Sequence, residues 1–250
     1  MCPAGDGPHV LILGGTAEGY ALAEALAGRA NLRVTSSLAG ATTSPRLPAG
    51  VHRIGGFGGS DGLAAWLTAE GVALVIDASH PFAQRISRHA REATARVGCR
   101  YLRLERPGWQ AGPGDRWHRV RDLEAGLACI DQLGAAWVFA ALGARAVPAL
   151  ACGPAHFVVR GIEPPEVVPA NVTWLEGRGP FTLDHELRLL QEQRIEALLC
   201  RDSGGVEGRA KLEAARALDL PVILLERPPQ AAGETAPDVA AAVRVAASLG

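Results

Sequence analysis

Short apolar runs alternate with amphipathic stretches along the chain, and this alternation predicts β-α-β units. After the first apolar run, Leu22, Ala25 and Leu26 recur at helical spacing. They lie between Thr16, a residue suited to the start of a helix, and Gly28, which is suited to its end. Repetition of this pattern with short connections predicts parallel sheets with helices on both faces. The apolar runs predict strands at His9–Leu13, Leu32–Thr35, Val51–Ile54, Val72–Ile76, Tyr101–Leu104, Trp137–Ala141, Phe157–Arg160, Ala197–Cys200 and Val222–Leu225.

A stretch rich in glycine and proline, Glu105–Trp117, interrupts the alternation, as is typical of a domain boundary. We therefore expect one α/β domain over residues 1–107 and a second over residues 108–250. Caps and apolar spacing predict further helices that begin near Ser60 or Asp61, at Pro81 with an end at Gly98, after Thr182, over Val206–Asp219 and from about Pro237.

Composition narrows the class of protein. Apolar residues make up 48% of the 250 residues, and the net charge of −1 gives no overall attraction to nucleic acid or an acidic membrane. No run approaches the roughly 18 apolar residues of a membrane span. The five cysteines are odd in number and show no C-x-x-C spacing, which argues against disulfides and structural zinc and fits a reducing cytoplasm. We predict a cytoplasmic protein that binds no nucleic acid, membrane or metal.

The segment "ILGGTAEG", Ile12–Gly19, connects the first predicted strand to the first helix, where dinucleotide-binding proteins place a phosphate loop. Gly14 and Gly19 match the outer glycines of G-x-G-x-x-G, and Thr16 stands at the middle position. Such glycines let the backbone approach a pyrophosphate, which the N–H groups of the helix start attract. A tight turn without a ligand is the alternative. Glu18 indicates either a hydrogen bond at the helix start or a contact with a ligand hydroxyl.

The end of the second predicted strand carries hydroxyls where an NAD-binding protein carries an acid. Ser36 and Ser37 stand about 20 residues past the loop, the place of the residue that holds the ribose. Hydroxyls accept a 2′-phosphate without repulsion, and Arg46 could supply positive charge nearby. This end favours NADP over NAD, unless the two serines only begin a turn.

Glycines cluster after three other predicted strands. Gly55 and Gly56 in "GGFGGSDG" permit close approach to a flat or bulky group, and Phe57 is suited to stack on a ring or to plug the sheet end. A flexible loop is the alternative. "GRGPFT" and "CRDSGG" repeat this composition in the second half, and the N–H groups of "CRDSGG" are suited to a carboxylate.

The fourth predicted strand ends in "DASHPFA", with Asp77, Ser79 and His80 at its carboxyl end. In an open α/β sheet that end binds ligands. We interpret the three residues as part of the site, with His80 bonding a cofactor phosphate or a substrate carboxylate. The alternative is a helix start capped by Asp77 or Ser79.

Together, the segments "ILGGTAEG", "SSLAG", "RIGGFGG", "DASHPFA", "RLERPGW", "GRGPFT" and "SGG…AKLEAARALDLPV" occur in an order and spacing that resemble the precorrin-6A reductase family of cobalamin biosynthesis. The resemblance covers nearly the whole chain. It implies two Rossmann-like α/β domains with mainly parallel sheets and a cleft between them. It also implies an NADPH-dependent enzyme that adds hydride and a proton across one double bond of a tetrapyrrole, giving precorrin-6B. Partners would be the tetrapyrrole and, by handover, neighbouring corrin-pathway enzymes.

Site residues follow from the motifs and the resemblance together. His80, Asp202 and solvent are the candidate proton donors. The expected cofactor-binding residues are Gly14, Gly15, Thr16, Glu18, Ser36, Ser37, Arg46, Gly55, Gly56, Phe57, Asp77, Ser79 and His80. The expected substrate-binding residues are Arg178, Gly179, Arg201, Ser203, Gly204, Gly205 and Lys211.

The chain departs from the family pattern at three positions. Ser79 replaces a threonine, Ala41 stands where an arginine often follows "SLAG", and Asp202 takes the place of an asparagine. Three alternatives remain at this point: reduction of cobalt-precorrin-6A, a reductase of another substrate and a non-catalytic nucleotide-binding module. A short-chain reductase would need Tyr-x-x-x-Lys, and neither Tyr20 nor Tyr101 has a lysine four residues on.

Overall fold

The computed structural model describes residues 7–40 and 45–249. The chain forms two compact units. The first takes the chain up to Pro107 and again from Pro229 onward, and the second is Gly108–Pro228. The break at Pro107 coincides with the expected boundary. The second domain was expected to run on to residue 250, whereas contacts group the last segment with the first unit.

In its described part, the first unit contains a single six-stranded parallel sheet flanked by helices. The elements are β1 (His9–Leu13), α1 (Ala17–Leu26), β2 (Arg33–Leu38), β3 (Val51–Ile54), α2 (Gly59–Ala69), β4 (Val72–Asp77), α3 (Gln84–Val97), β5 (Arg100–Leu104), β12 (Thr235–Ala236) and α8 (Val239–Ala247). The strand order is β12-β5-β4-β1-β2-β3, so β1 is central. The last segment belongs to this unit because β12 extends the sheet beside β5 and α8 packs against α1.

Alternate residues of β1 divide the core of the first unit between the two faces of the sheet. Val10 and Ile12 face α1 and α8, while Leu11 and Leu13 face α2 and α3. All four side chains are at most 3% exposed. Burial on both faces explains why the strand is an unbroken apolar run rather than an alternating one.

Two helices of the first unit begin elsewhere than predicted. Gly58, in the left-handed region, precedes α2, so neither Ser60 nor Asp61 is the cap. α3 begins at Gln84, because His80–Ala83 form a separate turn in which the Ala83 N–H bonds the His80 carbonyl at 2.8 Å. Gly98 ends α3 as predicted.

The second unit also contains, in its described residues, one six-stranded parallel sheet. The elements are β6 (Arg116–Val120), α4 (Leu123–Leu133), β7 (Trp137–Ala141), α5 (Val147–Leu150), β8 (His156–Gly161), β9 (Val172–Glu176), α6 (Leu183–Glu192), β10 (Ala197–Arg201), α7 (Ala210–Ala217) and β11 (Pro221–Leu225). The strand order is β6-β11-β10-β7-β8-β9. The predicted α/β class with parallel sheets is therefore confirmed for both units.

The prediction omitted three edge strands, β6, β9 and β12, and ended β2 three residues too early, at Thr35 instead of Leu38. It shortened other strands by a residue or two. Across the described residues, no helix is both long and apolar enough to cross a membrane.

Candidate functional site

The first sheet reverses its strand order at β1. The chain passes from β1 to β2 on one side and later to β4 on the other. In open α/β sheets this reversal opens a crevice at the carboxyl ends of the strands, where ligands bind. Leu13, the last residue of β1, pairs with Ser37 on one side and with Asp77 on the other. The loops after these three strands therefore meet at one place.

The loop between β1 and α1 is built for close approach of a ligand. The Gly14 N–H donates to the Ser37 carbonyl at 2.9 Å. Gly15 has a φ of +107°, and a Cβ at this position would have no protein atom within 4 Å. A Cβ on Gly19 would lie 3.1 Å from the Gly14 Cα, so this glycine lets α1 pack against the loop. Gly15 thus presents bare backbone to open space.

Thr16, at the middle position of the glycine motif, makes two hydrogen bonds through its hydroxyl. Its hydroxyl accepts from the Gly19 N–H at 3.1 Å and so caps α1. The same hydroxyl donates to the Ala78 carbonyl at 2.7 Å. This second bond fixes the loop to the segment after β4, which a glycine could not do.

Glu18 forms an ion pair with Arg106, and both side chains are largely buried. Neither sequence interpretation of Glu18, a helix-start bond or a ligand contact, included this partner. The pair borders a small pocket beside the glycine loop. The pocket is lined by Thr16, Glu18, Ala78, Ser79, Pro81, Leu104 and Arg106.

Asp77 is fully buried and pairs with Arg103, whose Nη1 lies 2.7 Å from Oδ1. Its carboxylate also accepts from the Ser79 N–H at 3.0 Å and from the Tyr101 hydroxyl at 2.7 Å. Burial raises the pKa of Asp77, but the Arg103 charge and the hydrogen bonds from Ser79, Ser87 and Tyr101 outweigh it and leave the pKa lowered. Asp77 was expected to bind the cofactor. Its side chain is 0% exposed, and it instead stabilises the segment after β4 through these contacts.

Arg103 also binds Ser79, in the segment that follows β4. Its Nη1 donates to the Ser79 hydroxyl at 3.1 Å, and its Nη2 donates to the Ser79 carbonyl at 3.1 Å. Ser79 is 8% exposed and therefore also acts mainly as a link in this network. The alternative interpretation, a helix start capped by Asp77 or Ser79, is wrong for α3, because its N-cap residue is Ala83 and no side chain caps it.

His80 is the half-buried member of the set. Its Nδ1 accepts from the Phe82 N–H at 3.2 Å, so a neutral ring carries its proton on Nε2. The Asp77–Arg103 network fixes the residue that precedes it. His80 is therefore positioned as a hydrogen-bond donor at the end of β4.

The two serines at the end of β2 face opposite ways. The Ser36 side chain is buried at 2% exposure, and its hydroxyl has no hydrogen-bond partner among the described residues. The Ser37 hydroxyl accepts from Arg53 Nη1 at 2.9 Å. Both serines were expected to bind the cofactor. Ser37 lies next to the glycine loop, whereas Ser36 is turned into the core.

Arg46 lies in an exposed segment, with its guanidinium 4.9 Å from the centre of the Tyr20 ring. The Tyr20 hydroxyl donates to the Arg46 carbonyl at 2.8 Å. These contacts hold the segment on α1. Ala41, the position where the family often has arginine, lies outside the described residues.

The glycines after β3 flank an aromatic residue, Phe57. Gly55 has a φ of +113°, and its carbonyl and that of Gly56 accept from Arg53 at 3.0 and 2.9 Å. Phe57 packs edge-on against Trp66 with ring centres 5.4 Å apart. Both uses expected for Phe57, stacking on a ring and plugging the sheet end, stay predictions.

The second sheet has its own reversal, between β7 and β10. Arg201 ends β10, and its Nη1 donates to the Leu142 carbonyl at 3.0 Å, just after β7. Burial lowers the pKa of Arg201, and the nearby charge of Arg145 lowers it further. Two guanidinium groups at a strand reversal favour the binding of an anion.

Asp202, proposed from the sequence as a proton source, is occupied by protein contacts. Its Oδ1 accepts from the Trp109 N–H at 2.9 Å, and its Oδ2 pairs with Arg119 Nη1 at 3.0 Å. A Cβ on Gly108 would lie 2.9 Å from the same carboxylate, so "PGW" needs its glycine here. Asp202 is 5% exposed and fastens Trp109 to the end of β10.

The rest of the "CRDSGG" loop belongs to the connection between β10 and α7. The Ser203 N–H donates to the Arg201 carbonyl at 2.7 Å, and Gly204 and Gly205 have φ values of +64° and +76°. The Gly205 carbonyl accepts from Trp109 Nε1 at 2.9 Å. This backbone needs glycines, since other residues are strained at positive φ.

Lys211 is half-buried under the same loop. Its Nζ donates to the Gly208 carbonyl at 2.7 Å and lies 5.1 Å from the centre of the Trp109 ring. Burial lowers its pKa, despite the opposing effects of Cys200 and Glu186. Lys211 therefore lies close to the loop that it was expected to serve, in surroundings that disfavour its charged form.

Arg178 and Gly179 lie exposed between β9 and α6, three strands away from Arg201 in the sheet. The loop is anchored by Phe181, whose ring lies 3.4 Å from the Arg160 guanidinium. Arg160 pairs with Glu186 at 2.6 Å, and both side chains are buried. The structure thus brings Arg201, Ser203, Gly204, Gly205 and Lys211 together and places Arg178 and Gly179 apart.

Six arginines in or near these loops were not selected from the sequence: Arg53, Arg103, Arg106, Arg119, Arg145 and Arg160. A charged residue inside the apolar run "YLRL" was the one available signal, for Arg103. In the described part of the chain, no group of three or more His, Cys, Asp or Glu side chains is arranged to hold a metal ion.

Comparisons with known proteins find similar proteins over nearly the whole chain. The family model described as precorrin-6x reductase CbiJ/CobK matches residues 9–247. The chain is 45% identical to a precorrin-6A reductase of Rhodococcus erythropolis, over 94% of this chain and 96% of the relative. It is 29% identical to a cobalt-precorrin-6A reductase of Methanothermobacter thermautotrophicus, over 88% and 76%. The solved structure of the CobK precorrin-6A reductase is similar at a TM-score of 0.92 and 38% identity, covering 97% of both chains.

Proposed function

Because the chain belongs to the precorrin-6x reductase family CbiJ/CobK, we propose that it reduces one carbon–carbon double bond of precorrin-6A, with NADPH as the hydride donor. The product is precorrin-6B, a step in cobalamin biosynthesis. When bound, NADPH supplies the hydride for one carbon, a proton adds to its neighbour, and NADP⁺ leaves. The higher identity to a precorrin-6A reductase than to a cobalt-precorrin-6A reductase favours the cobalt-free substrate.

The observation that carries the proposal is the glycine loop at the reversal of the first sheet. Gly15 presents backbone to open space, and Gly19 allows α1 to begin against the loop. The free N–H groups at the start of α1 suit the pyrophosphate of a dinucleotide. His80 Nε2, held at the end of the neighbouring strand, suits a cofactor phosphate or a substrate carboxylate. These residues fit a nicotinamide cofactor.

NADPH rather than NADH is supported by charge at the end of β2. An NAD-specific site uses a carboxylate there to hold the ribose, and the ends of β2 and β3 offer Ser37 and Arg53 instead. A carboxylate would repel a 2′-phosphate, whereas a hydroxyl and a guanidinium attract one. The end of β2 is therefore suited to the phosphorylated cofactor.

The second unit supplies cations for a substrate with several carboxylates. Arg201 and Arg145 stand at the reversal of the second sheet, and Lys211 lies under the adjoining glycine loop. Hydrogen bonds between charged partners are short and roughly twice as strong as neutral ones, so such a cluster can orient a polycarboxylate. Asp202 contacts Trp109 and Arg119, and this supports His80 or solvent rather than Asp202 as the proton donor.

Anaerobic assay of the purified protein with precorrin-6A tests the proposal. Loss of NADPH absorbance together with a product two hydrogens heavier is expected. Parallel reactions with NADH and with cobalt-precorrin-6A determine the cofactor and the metal state of the substrate. A protein that binds NADPH yet leaves both macrocycles unchanged would favour the non-catalytic alternative.

A further inference from the structure

Arg53 lies where a dinucleotide-binding sheet distinguishes the two nicotinamide cofactors. It pairs with Ser37 across the β2–β3 ladder. Ser37 in turn accepts the Gly14 N–H at the start of the glycine loop. The chain of contacts Gly14–Ser37–Arg53 therefore leads from the phosphate loop to a guanidinium at the carboxyl end of the sheet. The 2′-position of a bound adenosine ribose belongs at the end of β2.

The guanidinium of Arg53 is held rigidly. Its Nη1 donates to the Ser37 hydroxyl at 2.9 Å and to the Gly55 carbonyl at 3.0 Å, and its Nη2 donates to the Gly56 carbonyl at 2.9 Å. Its Cζ lies 3.8 Å from the centre of the Phe57 ring, within the range of a cation–π contact. Among the described residues, these bonds leave Nε and the second N–H of Nη2 for a ligand.

The charge of Arg53 is not neutralised within the described residues. No carboxylate there forms an ion pair with it, and burial lowers its pKa. Its polar partners in the described part of the chain are all neutral oxygens. A half-buried cation with neutral partners is stabilised by an incoming dianion, and a fixed guanidinium loses little side-chain entropy when it binds one.

Arg46, the arginine expected from sequence proximity, is less suited to this task. It is exposed, and its guanidinium contacts the Tyr20 ring on α1 rather than the strand ends. Arg53 has three hydrogen bonds and a ring to fix its direction.

From this geometry we propose that Arg53 selects NADPH over NADH by donating hydrogen bonds to the 2′-phosphate, with Ser37, Gly55, Gly56 and Phe57 holding its guanidinium in place. The inference rests on the proposed function, because it assumes a nicotinamide cofactor on the first unit. The proposal places the specificity residue in β3 and not at position 41, where the family often has an arginine and this chain has Ala41.

Titration calorimetry with NADPH, NADH and the fragment 2′,5′-ADP tests the proposal without turnover. Arg53→Gln should raise the Kd of NADPH and of 2′,5′-ADP by about ten- to a hundredfold, the effect of about one charge-assisted hydrogen bond, and leave the Kd of NADH unchanged. Arg53→Lys, which keeps the charge, should recover part of the loss. Arg88→Gln removes the same charge from an exposed site on α3 and should change nothing.

Three results would overturn the assignment. Equal losses for NADPH and NADH in Arg53→Gln would make Arg53 only a clamp of the glycine loop, and urea unfolding of the variant would record that damage. A selective loss in Arg46→Gln but not in Arg53→Gln would transfer the role to Arg46. A wild-type protein that prefers NADPH and an Arg53→Gln variant that keeps this preference would refute the inference alone, whereas a wild type that binds neither nucleotide would refute the proposed function.

Discussion

Replacement of Asp77 by asparagine separates a supporting role from direct cofactor binding. Asn keeps the shape of the side chain but removes the charge that faces Arg103. The Arg103 side chain is 1% exposed, so its guanidinium would stay buried without a counter-ion. Loss of one partner of a buried pair costs about 3 to 5 kcal/mol. At roughly 2 to 4 °C per kcal/mol, Asp77→Asn should lower Tm by about 6 to 20 °C.

Tyr101→Phe is the matched control. It removes only the hydroxyl that donates to Asp77 at 2.7 Å and should cost about 1 kcal/mol. Urea unfolding would measure both losses, and amide hydrogen exchange would assign them to the first unit. NADPH affinity at a temperature where the variants remain folded should fall little. An Asp77→Asn protein with the wild-type midpoint and a much higher Kd for NADPH would show that Asp77 contacts the cofactor.

The pH dependence of the same pair has a definite sign. Arg103 and the hydrogen bonds hold the pKa of Asp77 below its usual value, so the charged form stabilises the fold. This stabilisation is present above the unfolded aspartate pKa of about 4 and is lost as the pH falls through the lower folded value. The difference between wild type and Asp77→Asn should therefore be constant near neutral pH and shrink below about pH 4.

Further predictions concern the two loops. Gly15→Ala should raise the Kd of NADPH about tenfold or more, since its Cβ enters the open space and the positive φ costs about 1–2 kcal/mol; unchanged affinity in calorimetry would make the loop a simple turn. In steady-state kinetics, Arg201→Gln should raise the KM for precorrin-6A by about ten- to a hundredfold and spare NADPH affinity, while Arg188→Gln on exposed α6 changes neither. Asp202→Asn should cost about 1–3 kcal/mol in urea unfolding and keep the pH profile of kcat; loss of turnover at wild-type stability would make Asp202 the proton donor.

Strands buried on both faces and the loops that follow them could be predicted from the sequence. β1 and β10 are unbroken apolar runs because both faces of each sheet are covered by helices. Glycines marked the loops after β1, β3 and β10, since the backbone there needs positive φ or close packing. The edge strands β6 and β9 escaped prediction because "RWHRV" and "VTWLE" are only partly buried and mix polar with apolar residues.

The side-chain pairings of the site could not be predicted. Asp77 and Arg103 are partners because the β4–β5 register places them side by side. The register of two strands cannot be read from the sequence alone. The same holds for Ser37 and Arg53 across β2 and β3. Ser36 and Ser37 are the same residue type, so the sequence did not distinguish them. Adjacent residues of a strand face opposite sides of the sheet, and only Ser37 faces Arg53.

The discontinuous first unit has a consequence for synthesis on the ribosome. β12 and α8, which complete the sheet and one of its helical layers, emerge only after the intervening 108–228 segment. At about 5–20 residues per second, that segment delays them by roughly 6–24 s. During this interval the β5 edge and the apolar side of α1 lack their final partners, and both are suited to recognition by a chaperone. The second unit, continuous in sequence, can fold first, so the nascent chain is expected to acquire its structure from the middle outward.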